Sequence, residues 1–234
     1  MNKNHKFYIM SPEELFCSLA KRVTKEALLL LGLELCGTYS IDKRLDSCEF
    51  NVEPLTNPKK IEDHILHVKK FKKNPGCINK ALYVAGYLEG MAASPAEALL
   101  YAKLCLPRGM GGFGVKNLCF NKRIVLSKSA AKIAGQRDIY IDLSNPASKV
   151  AIEYDSEQFH DNSQQNIRDK RRLDALYSDG WKIFSIVKPQ LNERSVFNEI
   201  AELILKANGQ SARISVKHFL QKQIDLDFEL QQCN

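Results

Sequence analysis

The chain lacks a long apolar segment, a secretion signal and a cysteine pairing pattern. Its longest apolar run, Ala27 to Leu33, is far shorter than the ~20 residues that a membrane-spanning helix needs. The polar residues at the start precede no apolar stretch of the kind found in secretory signals. Seven cysteines are scattered singly without a Cys-x-x-Cys pair, which argues against a disulfide framework and a zinc site. We therefore expect a cytoplasmic protein that has no membrane partner.

Two sequence patterns that suggest ligand sites are incomplete. The glycine-dense stretch Gly109 to Gly114 lacks the Gly-Lys-Ser/Thr ending of a phosphate-binding loop and does not open a helix, so it is predicted to be a connector. His64 and His67 lie three residues apart, but no carboxylate or cysteine at metal-ligand spacing accompanies them. They are predicted to be surface residues.

The charge balance is basic and unevenly distributed. A formal net charge of +7 favours polyanionic partners, although many enzymes are basic for reasons unrelated to a partner. Lys69 to Lys73 is most simply a solvated helix end. The second cluster, Arg168 to Arg172, follows a group of acids, and acids for a metal beside bases for phosphate are the charge pattern of a nuclease.

The acids of that group lie at the ends of two predicted strands. Asp142 ends one apolar run, Glu153 ends the next, and Asp155 and His160 follow closely. If the two strands are neighbours, the carboxylates converge at one sheet edge, where their repulsion raises their pKa values unless a cation neutralises them. A hard divalent ion with oxygen ligands is the simplest explanation, with acids that merely end strands in solvent as the alternative.

The order of predicted elements indicates an α/β (α+β) fold. Residues 1–90 are predicted to be mainly helical, with residues 38–54 irregular or a short hairpin. Residues 91–190 read as helix, three strands, helix, strand, which predicts a mixed four-stranded sheet flanked by helices. Residues 191–234 are predicted to be a helix, a strand over 212–216 and a closing helix that pack on this core.

Several motifs in this order resemble the PD-(D/E)XK nuclease superfamily, and more narrowly the endonucleases related to very-short-patch repair enzymes. The resemblance covers roughly residues 94–187 and implies a restriction-endonuclease-like core with metal-dependent phosphodiester cleavage. The matching motifs are Ser94-Pro95-x-Glu97, Ile141-Asp142-Leu143, Val150-Ala-Ile-Glu153-Tyr-Asp155, His160, Asp169-x-x-Arg172 and Asp179-Gly180-Trp181.

The resemblance also implies roles for individual residues. Asp142 and Glu153, with the backbone carbonyl of Tyr154, would hold Mg²⁺, and Mn²⁺ would fit the same ligands. Glu97 would act on the metal directly or through a water, with a plain capping-box glutamate as the alternative. Arg172 would contact a phosphate, aimed by Asp169, unless the two form only a local ion pair. Arg168, Lys170 and Arg171 are expected to bind nucleic acid beside it.

One position departs from the superfamily pattern. The lysine expected two residues after the glutamate is replaced by Asp155, which cannot stabilise developing negative charge. Asp155 is therefore expected to be a third ligand, and His160 to transfer protons, because its ordinary pKa near ~6.5 suits that role. The alternative for His160 is an exposed residue that precedes a helix.

These observations predict an endonuclease that acts on double-stranded DNA in defence, repair or mobile-element biology. Asp155 keeps open a second hypothesis, a non-catalytic nucleic-acid-binding regulator of the antitoxin kind on a degenerate nuclease fold. The N-terminal region is expected to supply target recognition or a surface for a protein partner.

Overall fold

The N-terminal region is helical with one inserted hairpin. The computed structural model describes residues 8–42, 44–71, 76–155, 163–213 and 215–233. The side chains of Ser11, Thr24 and Asn57 each accept a backbone N–H at the start of a helix, which supplies the partner that the first turn lacks. The hairpin strands pair antiparallel, in agreement with the hairpin alternative for residues 38–54. The elements are α1 (Pro12–Leu19), α2 (Lys25–Leu35), β1 (Tyr39–Asp42), β2 (Ser47–Phe50), α3 (Pro58–Lys69) and α4 (Gly76–Ala85).

The predicted mixed four-stranded sheet flanked by helices is confirmed. Its strands lie in the order β3, β4, β5, β6, with antiparallel pairing except between β5 and β6, which are parallel and joined by the crossover helix α7. The sequence did not predict α6, because two helical turns carry too little apolar periodicity to stand out. The elements are α5 (Pro95–Cys105), β3 (Cys119–Val125), α6 (Lys128–Ala134), β4 (Asp138–Asn145), β5 (Val150–Asp155), α7 (Ser163–Ser178) and β6 (Lys182–Val187).

The sheet separates a minor core from a major core. The minor core lies between the sheet and helices α6 and α7, and it buries Ile139 and Ile141 against Ala175 and Leu176. The major core includes Leu143 and Ile152 of the sheet and extends from Phe16 of α1 to Leu230 near the end of the chain. It therefore contains side chains from all three predicted segments. None of the described helices combines the length and apolar character that crossing a bilayer requires.

The described residues of the C-terminal region form three helices, and the strand predicted over 212–216 is not seen among those of that range. The backbone carbonyls of Ser211 and Arg213 instead accept hydrogen bonds from the Arg108 guanidinium, at 2.6 and 2.7 Å. A side chain thus supplies the donors that a neighbouring strand would otherwise supply. The helices are α8 (Lys188–Asn192), α9 (Arg194–Ala207) and α10 (Phe219–Cys233).

An ion-pair network fastens α10 to the core. Asp227 of α10 accepts from Lys103 of α5 at 3.0 Å and from Arg194 of α9 at 2.8 Å. The Lys103 and Asp227 side chains are largely buried, so solvent screens their attraction little. Helix α10 also packs against α2, which joins the last element to the second.

The glycine-dense stretch before β3 is a connector, as predicted, and it also seats α10. Gly111 has a φ of +90°, in the left-handed region that favours glycine, and a Cβ there would overlap the carbonyl oxygen of Lys222. The Lys222 ammonium donates to the carbonyl of Gly109 at 3.0 Å. Glycine is required here because α10 approaches the loop backbone too closely for a side chain.

Candidate functional site

Strands β4 and β5 form a fork, and the acids lie at its base. Their register joins Leu143–Asn145 to Val150–Ile152, and Asp142 and Glu153 are the next residues on the two strands. Within the fork, the Asp142 carboxylate accepts the backbone N–H of Tyr154 at 2.8 Å. The side chain thus takes the place of a strand partner, and the two predicted metal ligands stand on facing arms of the fork.

Arg172 reaches into the fork from α7. Its Nη2 donates to Glu153 Oε1 at 2.6 Å and to the carbonyl of Tyr140. The sequence predicted that Arg172 contacts a phosphate, aimed by Asp169, or that the two form only a local ion pair. The contacts described for Arg172 are to Glu153 and to the backbone of β4. Arg172 therefore balances part of the negative charge of the fork.

The carboxyl groups of the fork are buried close together, which favours their neutral forms. Burial raises the pKa of Glu153 to about 8, and Asp142, Asp155 and Glu97 add repulsion that Arg172 only partly offsets. Burial also raises the pKa of Asp142, against the hydrogen bond from Tyr154 and the charge of Arg172. A divalent cation would stabilise the ionised forms of these carboxyl groups and so remove the repulsion between them.

Asp155 extends the acidic group to the exposed end of β5. It lies two residues after Glu153, so both side chains share one face of the strand. Its carboxylate accepts a hydrogen bond from the Ser185 hydroxyl of β6. Ser185 lies directly beside Glu153 in the parallel register, and no sequence pattern predicted its presence in the site.

Glu97 forms the capping box at the start of α5, in agreement with one of its two predicted roles, and its charge also interacts with that of Asp142. As a capping-box residue it accepts the backbone N–H of Ala93 at 3.0 Å and the Ser94 hydroxyl at 3.0 Å. The Asn121 amide of β3 also donates to it, at 3.1 Å. Burial, together with the charge of Asp142, raises the pKa of Glu97, so it also belongs electrostatically to the fork.

Asn121 was not foreseen from the sequence. It has a φ of +44°, and its amide donates both to Glu97 and to the backbone carbonyl of Met91, at 2.8 Å. An irregular position inside a strand produces no periodic signal in the sequence. Only the fold reveals that β3 contributes to the site.

The other predicted site residues that the structure describes lie on α7. Arg168, Lys170 and Arg171 are exposed on α7, the helix that carries Arg172. His160 lies outside the described residues, as do Lys72 and Lys73 of the first basic cluster. Two neighbours have other partners: Asp138 pairs with Arg123 at 2.8 Å, and the Lys149 ammonium donates to the carbonyl of Asp179 at 2.7 Å.

The ligand set fits Mg²⁺ only with water or substrate to complete it. Within the described part of the chain, no three His, Cys, Asp or Glu side chains are grouped to hold a metal. Two carboxylates and a backbone carbonyl are hard oxygen donors, and Mg²⁺ commonly binds one or two protein carboxylates and keeps several waters. The donor chemistry of Asp142, Glu153 and Tyr154 thus suits this ion.

Comparison of the chain with protein-family models, with curated proteins and with solved structures found no match.

Proposed function

We propose that the protein is a metal-dependent endonuclease that hydrolyses phosphodiester bonds in DNA, with its sheet as the core of a restriction-endonuclease-like fold. The observation that carries this proposal is the pairing of Asp142 with Glu153 at the base of the fork. Burying two carboxylates side by side is unfavourable in the absence of a cation. Such an arrangement is most readily explained by a ligand that supplies positive charge.

Asp142, Glu153 and the carbonyl of Tyr154 would hold Mg²⁺, and Mn²⁺ suits the same donors. When bound, the metal would polarise the scissile phosphate and lower the pKa of an attacking water. Tyr154 lies between the two arms of the fork, with its N–H bound to Asp142. This hydrogen bond orients the Asp142 carboxylate before any metal arrives.

The remaining residues would bind and orient the substrate. Arg168, Lys170 and Arg171 are exposed cations that can neutralise phosphates along a strand. Arg172 would hold Glu153 in place and share its charge with the scissile phosphate. Asp155 would accept hydrogen bonds at the mouth of the fork, and His160 is our candidate for proton transfer, a role that defence or repair endonucleases of this kind require.

A nicking assay on supercoiled plasmid tests the proposal. Wild type with Mg²⁺ or Mn²⁺ is expected to nick, whereas Asp142→Asn and Glu153→Gln lose most of the activity and keep DNA binding. Asp63→Asn is the control, because Asp63 is an exposed carboxylate on α3 that pairs with Lys59 and takes no part in the fork. Equal nicking by wild type and both site variants would contradict the assignment of Asp142 and Glu153 to the nuclease site.

A non-catalytic regulator of the antitoxin kind is the second candidate. It is favoured by Asp155 at the position of the superfamily lysine, and by Arg172, which already supplies positive charge to Glu153. A regulator would bind DNA tightly, with an affinity that falls steeply as salt increases, and it would not nick the DNA in Mg²⁺ or in Mn²⁺. The same preparations, measured for binding and for nicking, therefore separate the two functions.

A further inference from the structure

Tyr140 is an exposed aromatic residue on the arm of the fork that carries Asp142. Ile139 and Ile141 are buried in the minor core, so strand alternation places the Tyr140 side chain on the opposite face of β4. Asp142 is the second residue after Tyr140, and two residues along a strand span ~6.6 Å. Tyr140 is 60% exposed, which leaves most of its ring open to a ligand at this arm of the fork.

Arg123 of β3 accompanies Tyr140 on this face. The two residues are direct partners in the β3–β4 register. Asp138 holds the Arg123 guanidinium at 2.8 Å, and Asp138 first, then the Tyr140 phenol to a smaller extent, raise the pKa of Arg123. An aromatic ring and a guanidinium that share an open face are the groups on which nucleobases stack.

The backbone of Tyr140 is tied to the acid cluster. Arg172 donates to the Tyr140 carbonyl and to Glu153 through the same nitrogen, so the backbone of Tyr140 is held at a defined place relative to Glu153. Within the part of the chain that the structure describes, Tyr140 packs against no other aromatic ring. A lone exposed tyrosine is ordinary on a protein surface, but its place beside the fork is not.

We propose that Tyr140, with Arg123, stacks on an unpaired nucleobase next to the scissile phosphate. The substrate class is then a nucleic acid with an unpaired nucleotide, either a single strand or a duplex from which a base is flipped out. In a continuous duplex both faces of every base are covered by neighbours, so the Tyr140 ring would find no base to stack on. This inference rests on the proposed nuclease function for the identity of the scissile phosphate.

The test is a binding titration without divalent metal, at one fixed salt concentration, with a labelled single strand and with the same sequence as a blunt duplex. Tyr140→Ala is expected to raise the Kd for the single strand about tenfold and to leave the Kd for the duplex within about twofold. Tyr140→Phe keeps the ring and is expected to bind like wild type. Tyr177→Ala is the matched control, since Tyr177 on α7 is 59% exposed.

The outcomes separate the two proposals. Stacking is overturned if Tyr140→Ala binds the single strand normally, if it loses single strand and duplex equally, if Tyr177→Ala loses as much, or if wild type binds no single strand. If the expected pattern appears but wild type nicks no DNA in Mg²⁺, the stacking proposal is supported and the nuclease proposal is contradicted. If wild type nicks DNA, Asp142→Asn does not, and Tyr140→Ala binds the single strand like wild type, the nuclease proposal is supported and the stacking proposal is contradicted.

Discussion

Glu153 shows how strongly the fork resists negative charge. Its burial beside Asp142 raises its pKa to about 8, although Arg172 lies within hydrogen-bonding distance. Near neutral pH the folded protein without metal therefore keeps a proton on a carboxyl group that is ionised in the unfolded chain. Stability and metal binding are consequently coupled to pH at this residue.

The substitution Glu153→Gln is expected to make the metal-free protein less sensitive to pH. Since the folded pKa is raised from 4.5, wild type loses stability relative to the variant as pH rises from about 4.5 to about 8. The accumulated difference is on the order of 5 kcal/mol, because the pKa rises from 4.5 to about 8 and each pKa unit corresponds to about 1.4 kcal/mol. Urea unfolding of both proteins in chelator, at a series of pH values, measures it. A difference that does not vary with pH would contradict the burial of an ionisable Glu153.

At the residue scale, much of the site could be anticipated and part could not. Asp142, Glu153 and Asp155 follow apolar strands, so their convergence was predictable from the ends of those strands. Asn121 and Ser185 enter from the two outer strands, and no local pattern marks them. The contact of Arg172 with Glu153 depends on the packing of α7 against the sheet, a long-range fact that helical spacing does not contain.

At the element scale, strands rich in β-branched residues and helices with side-chain caps were predictable from local chemistry. The short helix α6 was missed, and the strand predicted over 212–216 is absent from the described residues there because Arg108 binds its carbonyls. The packing of α10 against the loop Gly109–Gly114 was also not predictable. Glycine in a sequence indicates that the backbone is free to adopt unusual conformations, but it does not indicate which element packs against it.

The substitution Gly111→Ala is expected to destabilise the protein by about 2–3 kcal/mol. The left-handed backbone at Gly111 disfavours a side chain, and the added methyl group overlaps the α10 backbone at Lys222. Gly109→Ala is the control in the same loop, because a Cβ there meets nothing within 4 Å. Urea unfolding of the two variants gives the comparison, and equal losses would show that α10 does not rest on Gly111.

At the scale of the whole molecule, the major core unites segments that the sequence presents as separate. The predicted boundaries near residues 90 and 190 follow changes in local pattern, whereas the core joins Phe16, Leu104 and Leu230. Contacts between distant helices leave no signature in local periodicity, so they could not be read from one sequence. The N-terminal and C-terminal regions are part of the body that supports the fork.

The substitution Asp227→Ala is expected to weaken this union. It leaves the Lys103 and Arg194 cations close together without their shared carboxylate, at a cost of about 2–3 kcal/mol in the free energy of unfolding. Asp225→Ala is the control on the same helix, where the exposed carboxylate accepts a hydrogen bond from the Gln221 side chain. Thermal unfolding of the two variants gives their melting temperatures. A similar small decrease in both would mean that the ion-pair network contributes little to stability.

The packing of α2 against α10 has a consequence for the newly made chain. Roughly 200 residues separate the two helices, and at ~5–20 residues per second the ribosome needs about 10–40 s to produce them. During this interval the leucine-rich surface of α2 has been synthesised, but the helix that covers it has not. A nascent chain with such an uncovered apolar surface is a natural client for chaperones, and this surface of α2 is covered only after α10 has left the ribosome.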